Sequence, residues 1–599
     1  MRFNFVLRRC LEHKRLALIA VLGLATACSV APKQQSQDTA SESKQVEQVD
    51  AVKLGYKAGL GNDLYYNLIT AELAGQHKDF ENAAQSYRRV LKLTDSDDIS
   101  QEDQYRIARR AWEMGRYIKN ADLAELAAQT WQGSDQSFTP RLARIVAVED
   151  ASPAKQQQVL AEVFDLAQPQ RAAFAAVVAK HYRESPAADA ALQMIDGFLE
   201  THPNDADVLK AGAVIAEDTD ATAMAYQLWY RLSAVATSAD EVFDAQAHAA
   251  ANLRLLGEPA EAANRLRGLH ALQPDQHWVA LEYGRSLLQS EQAEEALEVL
   301  EVLADKLSIN PEVQYITGFA AFVAKDYLKA ATYFETALAK GYSDHEARYW
   351  IGLAYMQAEQ PKQGVVWLST LGQGKHWQRA QHLTGDALAE MGEWEEFETH
   401  YNNLRSATPD QAARWFLAQC QSLIDVGRYE QAASYIDKAV EADDEDLEVR
   451  YQRGVLYAEL GRFQQAETDL NLVITNEPEH AEAMNALGYM LIDRLGDTER
   501  GVPLVKRALD LRPESAPIMD SYGWGLLLEG QLREALFWLE RAWSNTKDHE
   551  IGAHLGEALW LSKRHKEARV VWAEAQNLPR GNRDDKVRQA YERLGIDPE

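Results

Sequence analysis

The chain is short of cysteine, of basic charge and of long apolar runs. Three Cys in 599 residues cannot build a disulfide framework. Lys and Arg number 62 against 91 Asp and Glu, a formal net charge of −29, which excludes the basic face that nucleic-acid binding needs. Seventeen Pro and 33 Gly are too few for a loop-rich or collagen-like chain. With 46% hydrophobic and 26% charged residues the composition is that of a folded protein. The length predicts about four globular domains or one long repetitive array.

The first residues predict a secretory signal over 1–27. Arg2, Arg8, Arg9, Lys14 and Arg15 precede an apolar run, and Ala25-Thr26-Ala27 stands directly before Cys28. The 12 residues from Leu16 to Ala27 are too few for a bilayer span, which takes about 20. Small residues before a Cys at the end of such a run resemble a bacterial lipobox, although Leu24 lies one place early and Ala25 fills its usual position. The resemblance implies cleavage between Ala27 and Cys28 and acylation of Cys28. With Ser29 rather than Asp following, it implies the outer membrane of a Gram-negative cell, facing the periplasm. The alternative is ordinary cleavage after Ala27 that leaves a free thiol. Residues 28–61 then predict a lipidated Cys and a flexible tether, since Ser29 to Asp50 carries no aromatic residue to bury.

Beyond it one pattern recurs. Gly454, Tyr457, Gly461, Phe463, Ala466, Leu470, Val473 and Pro478 form one copy. A small residue marks the eighth position of each copy, at Ala250, Gly284, Gly318, Gly352, Gly385, Cys420, Gly454, Gly488, Gly523 and Gly556. Spacings of 33 to 35 residues put ten copies in register over 241–582. This resembles the tetratricopeptide repeat, a helix–turn–helix of 34 residues. The expected fold is therefore an all-α tetratricopeptide-repeat superhelical solenoid, in which each hairpin buries its apolar face on its neighbours. Residues 62–240 show the pattern less clearly, through Ala71, Ala83, Tyr87, Ala108, Ala111, Ala179 and Phe198. They read as degenerate helical repeats or as a looser helical domain. Residues 583–599 predict a capping helix.

Catalytic constellations are near misses. His549, Glu550 and His554 resemble a zinc-hydrolase motif with one residue too many, so the histidines do not share a helical face. Gly372-x-Gly374-Lys375 lacks the strand and the Ser or Thr of a phosphate loop. Cys420 falls at a packing position. The expectation is a binding protein and no enzyme, with no cofactor and no metal.

In tetratricopeptide repeats the first helix of each pair lines a groove through positions 2, 5, 9, 12 and 13. Carried over, that rule nominates Tyr349, Met356, Arg379, His382, Asp386, Arg414, Gln421, Tyr451, Asn485, Tyr489, Asp520 and Trp524. No registered copy pairs Lys at position five with Asn at position nine, so a carboxylate clamp is not expected. The acidic balance favours basic partners. Lipobox, tether and repeats together resemble the LbcA-type outer-membrane lipoprotein adaptors. That resemblance implies partners among periplasmic proteins: a carboxyl-terminal processing protease, and peptidoglycan hydrolases presented to it for degradation. The alternatives are an assembly factor of an outer-membrane export or pilus machine and, from another class, an enzyme of envelope metabolism with its site in residues 62–240.

Overall fold

The computed structural model describes residues 62–94, 99–167, 170–183, 185–578 and 585–597. The predicted signal, Cys28 and the tether lie outside the described residues. Among the described residues the chain is α-helical with short turns and contains no strand. It forms two compact units, one running to Tyr333 and the other beginning at Phe334.

In the first unit antiparallel helices follow one another as hairpins, from Asn62–Gln76 with Phe80–Leu93 to His277–Gln289 with Ala293–Lys306. Several start on a side-chain cap: Asp79 accepts from the Asn82 amide, Ser100 from Asp103 and Asp205 from Val208. Residues 62–240 are therefore paired helices, but their crossings are not uniform. Gly115 lies so close to the facing helix that a Cβ there would sit 2.7 Å from the Ala124 backbone nitrogen. Farther along, the short helices Thr139–Ala147 and Pro153–Val163 leave a gap that rings fill. Phe174 lies 5.1 Å from Phe164 and 5.5 Å from Phe138, centroid to centroid.

The second unit is more regular. Its pairs run from Asp344–Gln357 with Pro361–Ser369 to His549–Leu561 with His565–Gln576, and the helix Lys586–Leu594 follows within the predicted capping segment. Each eighth-position glycine faces a side chain sixteen residues later. A Cβ on Gly352 would meet Leu368 at 2.5 Å, one on Gly454 would meet Leu470 at 2.8 Å, and one on Gly523 would meet Leu539 at 2.7 Å. Close approach of the two helices is thus built on the missing Cβ. Gly488 departs: it faces Val505, seventeen residues on. The extra residue is housed in a π-helical turn, Met490–Arg494, between Ala481–Tyr489 and Thr498–Leu511.

The turn inside each pair needs one residue of positive φ. Gly461 supplies it at 71°, while Glu359 and Lys563 adopt it as non-glycine residues at 58° and 68°. Cys420 is 1% exposed, and burial, with the charges of Asp437 and Asp425, pushes its thiol up to about 12. It packs and stays protonated.

Candidate protein-binding face

The first helices of successive pairs in the second unit bring the sequence-nominated residues onto one side, in two different states. From Trp377–Met391 to Ala481–Tyr489 that side is open. Arg379, Arg414 and His382 are exposed, with the His382 ring 5.4 Å from Trp415. Asp386 is half-buried and accepts from the Ser422 hydroxyl at 2.7 Å. Gln421 donates to Asp425 at 2.8 Å. Tyr451 is half-buried beside His480, 5.1 Å between rings. Asn485 is half-buried too, and its Oδ1 lies buried without a hydrogen-bond partner.

This stretch is electrostatically negative. Burial and the charges of Asp386 and Asp425 raise the Glu390 carboxyl above the ordinary range. Tyr451 is raised by burial and by Glu448 and Glu482.

Four nominated residues are interior, which corrects the expectation that they face solvent. Tyr349 is 5% exposed because the His376 ring lies flat on it at 4.2 Å, held by Glu346, whose oxygens are 3.1 Å from Nε2. Met356 is buried against Gly364, where a Cβ would meet its Cγ at 2.8 Å. Asp520 is buried and bonded to His554 Nδ1 at 2.9 Å. Trp524 is 2% exposed, stacked on His554 at 4.2 Å, and its indole N–H donates to Asp493 at 3.2 Å. For Tyr349, Asp520 and Trp524 a ring from the following pair, His376 or His554, closes the space that the positional rule assumes to be free, whereas Met356 is closed in by the second helix of its own pair.

Tyr489 belongs to the same closed end. Its hydroxyl donates to Glu550 at 2.5 Å, and burial holds its proton well above the usual phenol range. Lys586, on the helix Lys586–Leu594, reaches Asp493 at 2.9 Å and Glu550 at 3.3 Å. Burial would raise Asp493, but the Lys586 ammonium outweighs it and keeps the carboxyl below its ordinary value. Arg593 bonds Glu557 at 2.7 Å, and its guanidinium lies 5.2 Å from the Trp524 ring. For His554 burial alone would depress the imidazole; the Asp520 carboxylate prevails and raises it. Asp520 is itself raised, because burial exceeds the pull of His554. The three residues of the near-miss zinc motif thus have separate partners, since His549 Nδ1 faces the Ala575 carbonyl at 3.0 Å.

The first unit carries a comparable face that the nominated set omits. Arg254 bonds Glu282 at 2.9 Å, Glu282 bonds Arg285 at 2.5 Å, and Arg285 reaches Glu312, so one ion-pair ladder crosses three pairs. Burial works against the Glu282 carboxylate, yet its two arginines hold it ionised. Beside the ladder His248 stacks on Trp229 at 4.4 Å, and the Trp278 ring lies tilted 4.6 Å from it. Arg254, Trp278, Arg285 and Glu312 occupy positions 12, 2, 9 and 2 of their copies, so the positional rule, applied to the earlier copies, finds them. Asp493, in the π turn, stands at position 13 of the Gly488 copy, so the same rule reaches it although the nominated set omits it.

Tetratricopeptide-repeat families match residues 253–316, 318–363, 417–475 and 451–516. The TPR repeat-containing protein PA4667 of Pseudomonas aeruginosa is 34% identical over 187 residues, 31% of this chain and 32% of that relative. Tetratricopeptide repeat protein 14 of Mus musculus is 35% identical over 92 residues, 15% of this chain and 12% of its own. The chain therefore spans a third or less of the length of these relatives. Among solved structures, the Cut9–Hcn1 hetero-tetramer matches with 12% identity over 90% of this chain and 99% of its own, at a TM-score of 0.30. MamA from Desulfovibrio magneticus matches with 22% identity over 29% and 97%, at 0.24. With its paired helices, glycine crossings and matched repeats, the chain is a tetratricopeptide-repeat protein.

Proposed function

We propose that the protein is a lipid-anchored adaptor of the outer membrane, facing the periplasm, which binds a carboxyl-terminal processing protease and presents cell-wall hydrolases to it. The observation that carries the binding role is the open acidic side between Arg379 and Asn485, where charged and aromatic groups from four consecutive first helices share one surface. Such a surface suits an extended or helical basic segment. The specific partners are inferred from the resemblance of the lipobox, tether and repeats to LbcA-type adaptors. Function in this reading is effective concentration: two proteins held on one tethered scaffold meet far more often than free ones. Two acyl chains or more on Cys28 would keep the scaffold at the membrane, where one chain alone binds marginally.

The test is affinity purification of the tagged, lipidated chain from detergent-solubilised envelopes, read by mass spectrometry. The reading expects a carboxyl-terminal processing protease together with a peptidoglycan hydrolase. Recovery of a secretin or pilus components without the protease would overturn it in favour of an assembly role. Cys28→Ala is expected to move the protein from the membrane to the soluble periplasmic fraction.

A further inference from the structure

The helix Lys586–Leu594 docks through a charged residue near each end and through Val587, Ala590 and Tyr591 between them. It has nine residues, too few to be a stable helix alone, and only Lys586, Val587, Ala590 and Tyr591 are buried. Its two anchors, Lys586 and Arg593, are seven residues apart, so they lie on one face about 10 Å from each other. Each head meets a carboxylate and an aromatic ring. Lys586 takes Asp493 and Glu550 and lies 5.8 Å from the Tyr489 ring; Arg593 takes Glu557 and covers Trp524.

The receiving groups are not a property of one helix. Tyr489, Asp520, Trp524, Glu550 and Glu557 stand at positions 9, 5, 9, 2 and 9 of three successive copies, the positions that face a ligand in such repeats. Asp493, at position 13 of the first of these copies, lies in the π turn, and its carboxylate meets Lys586 and the Trp524 indole. Four carboxylates, Asp493, Asp520, Glu550 and Glu557, converge there. Take the helix away and His554 is the cation left bonded to one of them within the buried end, beside the exposed Arg494 at 3.6 Å from Asp493. A site with this excess selects positive charge. Ion pairs drawn out of water, such as that of Lys586 at 7% exposure, also give little net stability, so an occupant held this way is specific without being tightly locked.

We propose that this acidic and aromatic end of the face is a recognition site for a partner helix presenting Lys and Arg two turns apart, and that the helix Lys586–Leu594 is its exchangeable internal occupant. The inference rests on the adaptor reading for its biological partner, but the chemistry is testable without one.

The probe is a fluorescein-labelled peptide of residues 585–597, added to the full-length chain and followed by anisotropy. The internal helix outcompetes it in the wild type, so binding is weak. In Lys586→Ala/Arg593→Ala the receiving site is intact and its occupant weakened, and affinity for the peptide rises at least about tenfold. Adding Asp493→Asn and Glu557→Gln abolishes that gain, as does replacing the peptide's own Lys and Arg by Gln. Equal binding in wild type and double variant, or a gain indifferent to Asp493 and Glu557, overturns the proposal. Hydrogen exchange on the unmodified chain decides independently of how the variants fold. Amides of 586–594 are expected to exchange at least about tenfold faster than those of His549–Leu561, and equal protection of both also overturns it. Because neither assay contains a protease or hydrolase, their failure is distinct from a failed envelope purification.

Discussion

Trp524→Ala separates an interior residue from a surface anchor. The indole is 2% exposed, packed against the His554 ring at 4.2 Å, covered by Arg593 and bonded to Asp493. Removing a fully buried Trp leaves a cavity and costs about 3–5 kcal/mol. The indole donor to Asp493 is lost as well, although Lys586 still pairs that carboxylate. In an array stabilised by nearest neighbours the loss is local, so this end opens before the other pairs. Hydrogen exchange should therefore show protection lost across Ala516–Leu528 and His549–Leu561, with the pair beginning at Trp377 unchanged. Arg414→Ala, at an exposed position on the open stretch, is the control and should stay within about 0.5 kcal/mol of wild type. If Trp524→Ala left both melting and exchange unaltered, the burial argument would be wrong and Trp524 would regain its place as an exposed anchor.

Three further outcomes follow from the packing and the charges. Gly454→Ala puts a methyl 2.8 Å from Leu470 and should cost about 1–3 kcal/mol, measured as a lower denaturant midpoint. Gly461→Ala forces a left-handed turn on a residue with a Cβ and should cost about 1–2 kcal/mol, with no change in helix content by circular dichroism. For Asp520 and His554 both folded-state values are raised, so both favour the protonated form in the folded protein. The His554 contribution is then fully present below the unfolded imidazole value of about 6.5 and is lost as pH rises through the folded one, whereas that of Asp520 is fully present only below the unfolded carboxyl value of about 3.9. Thermal melts of the wild type should fall from pH 6 to 9 more steeply than those of Asp520→Asn/His554→Gln; parallel curves would contradict this.

The sequence made the repeat visible wherever a helix crossing depends on a small residue, because a missing Cβ is written directly as Gly, Ala or Cys. Gly352, Gly454 and Gly523 are such crossings. It was faint over residues 139–182, where Phe138, Phe164 and Phe174 fill the space and no small-residue mark is needed. The 35-residue spacing from Gly488 to Gly523 was visible, but only the backbone shows the extra residue as a π turn that contains Asp493. The positional rule placed Arg379, Arg414, Gln421 and Tyr451 on an open surface and failed at Tyr349 and Trp524. Position along a helix fixes direction, whereas burial depends on what the next pair lays on top, here His376 and His554.

The most direct test of the adaptor account is site-specific photo-crosslinking in intact cells. A photoreactive residue at Arg414, on the open acidic side, is compared with one at Val366, 63% exposed on the second helix of its pair. The account predicts a covalent adduct with a carboxyl-terminal processing protease or a cell-wall hydrolase at Arg414 and none at Val366. Adducts with those proteins at Val366 alone would contradict it.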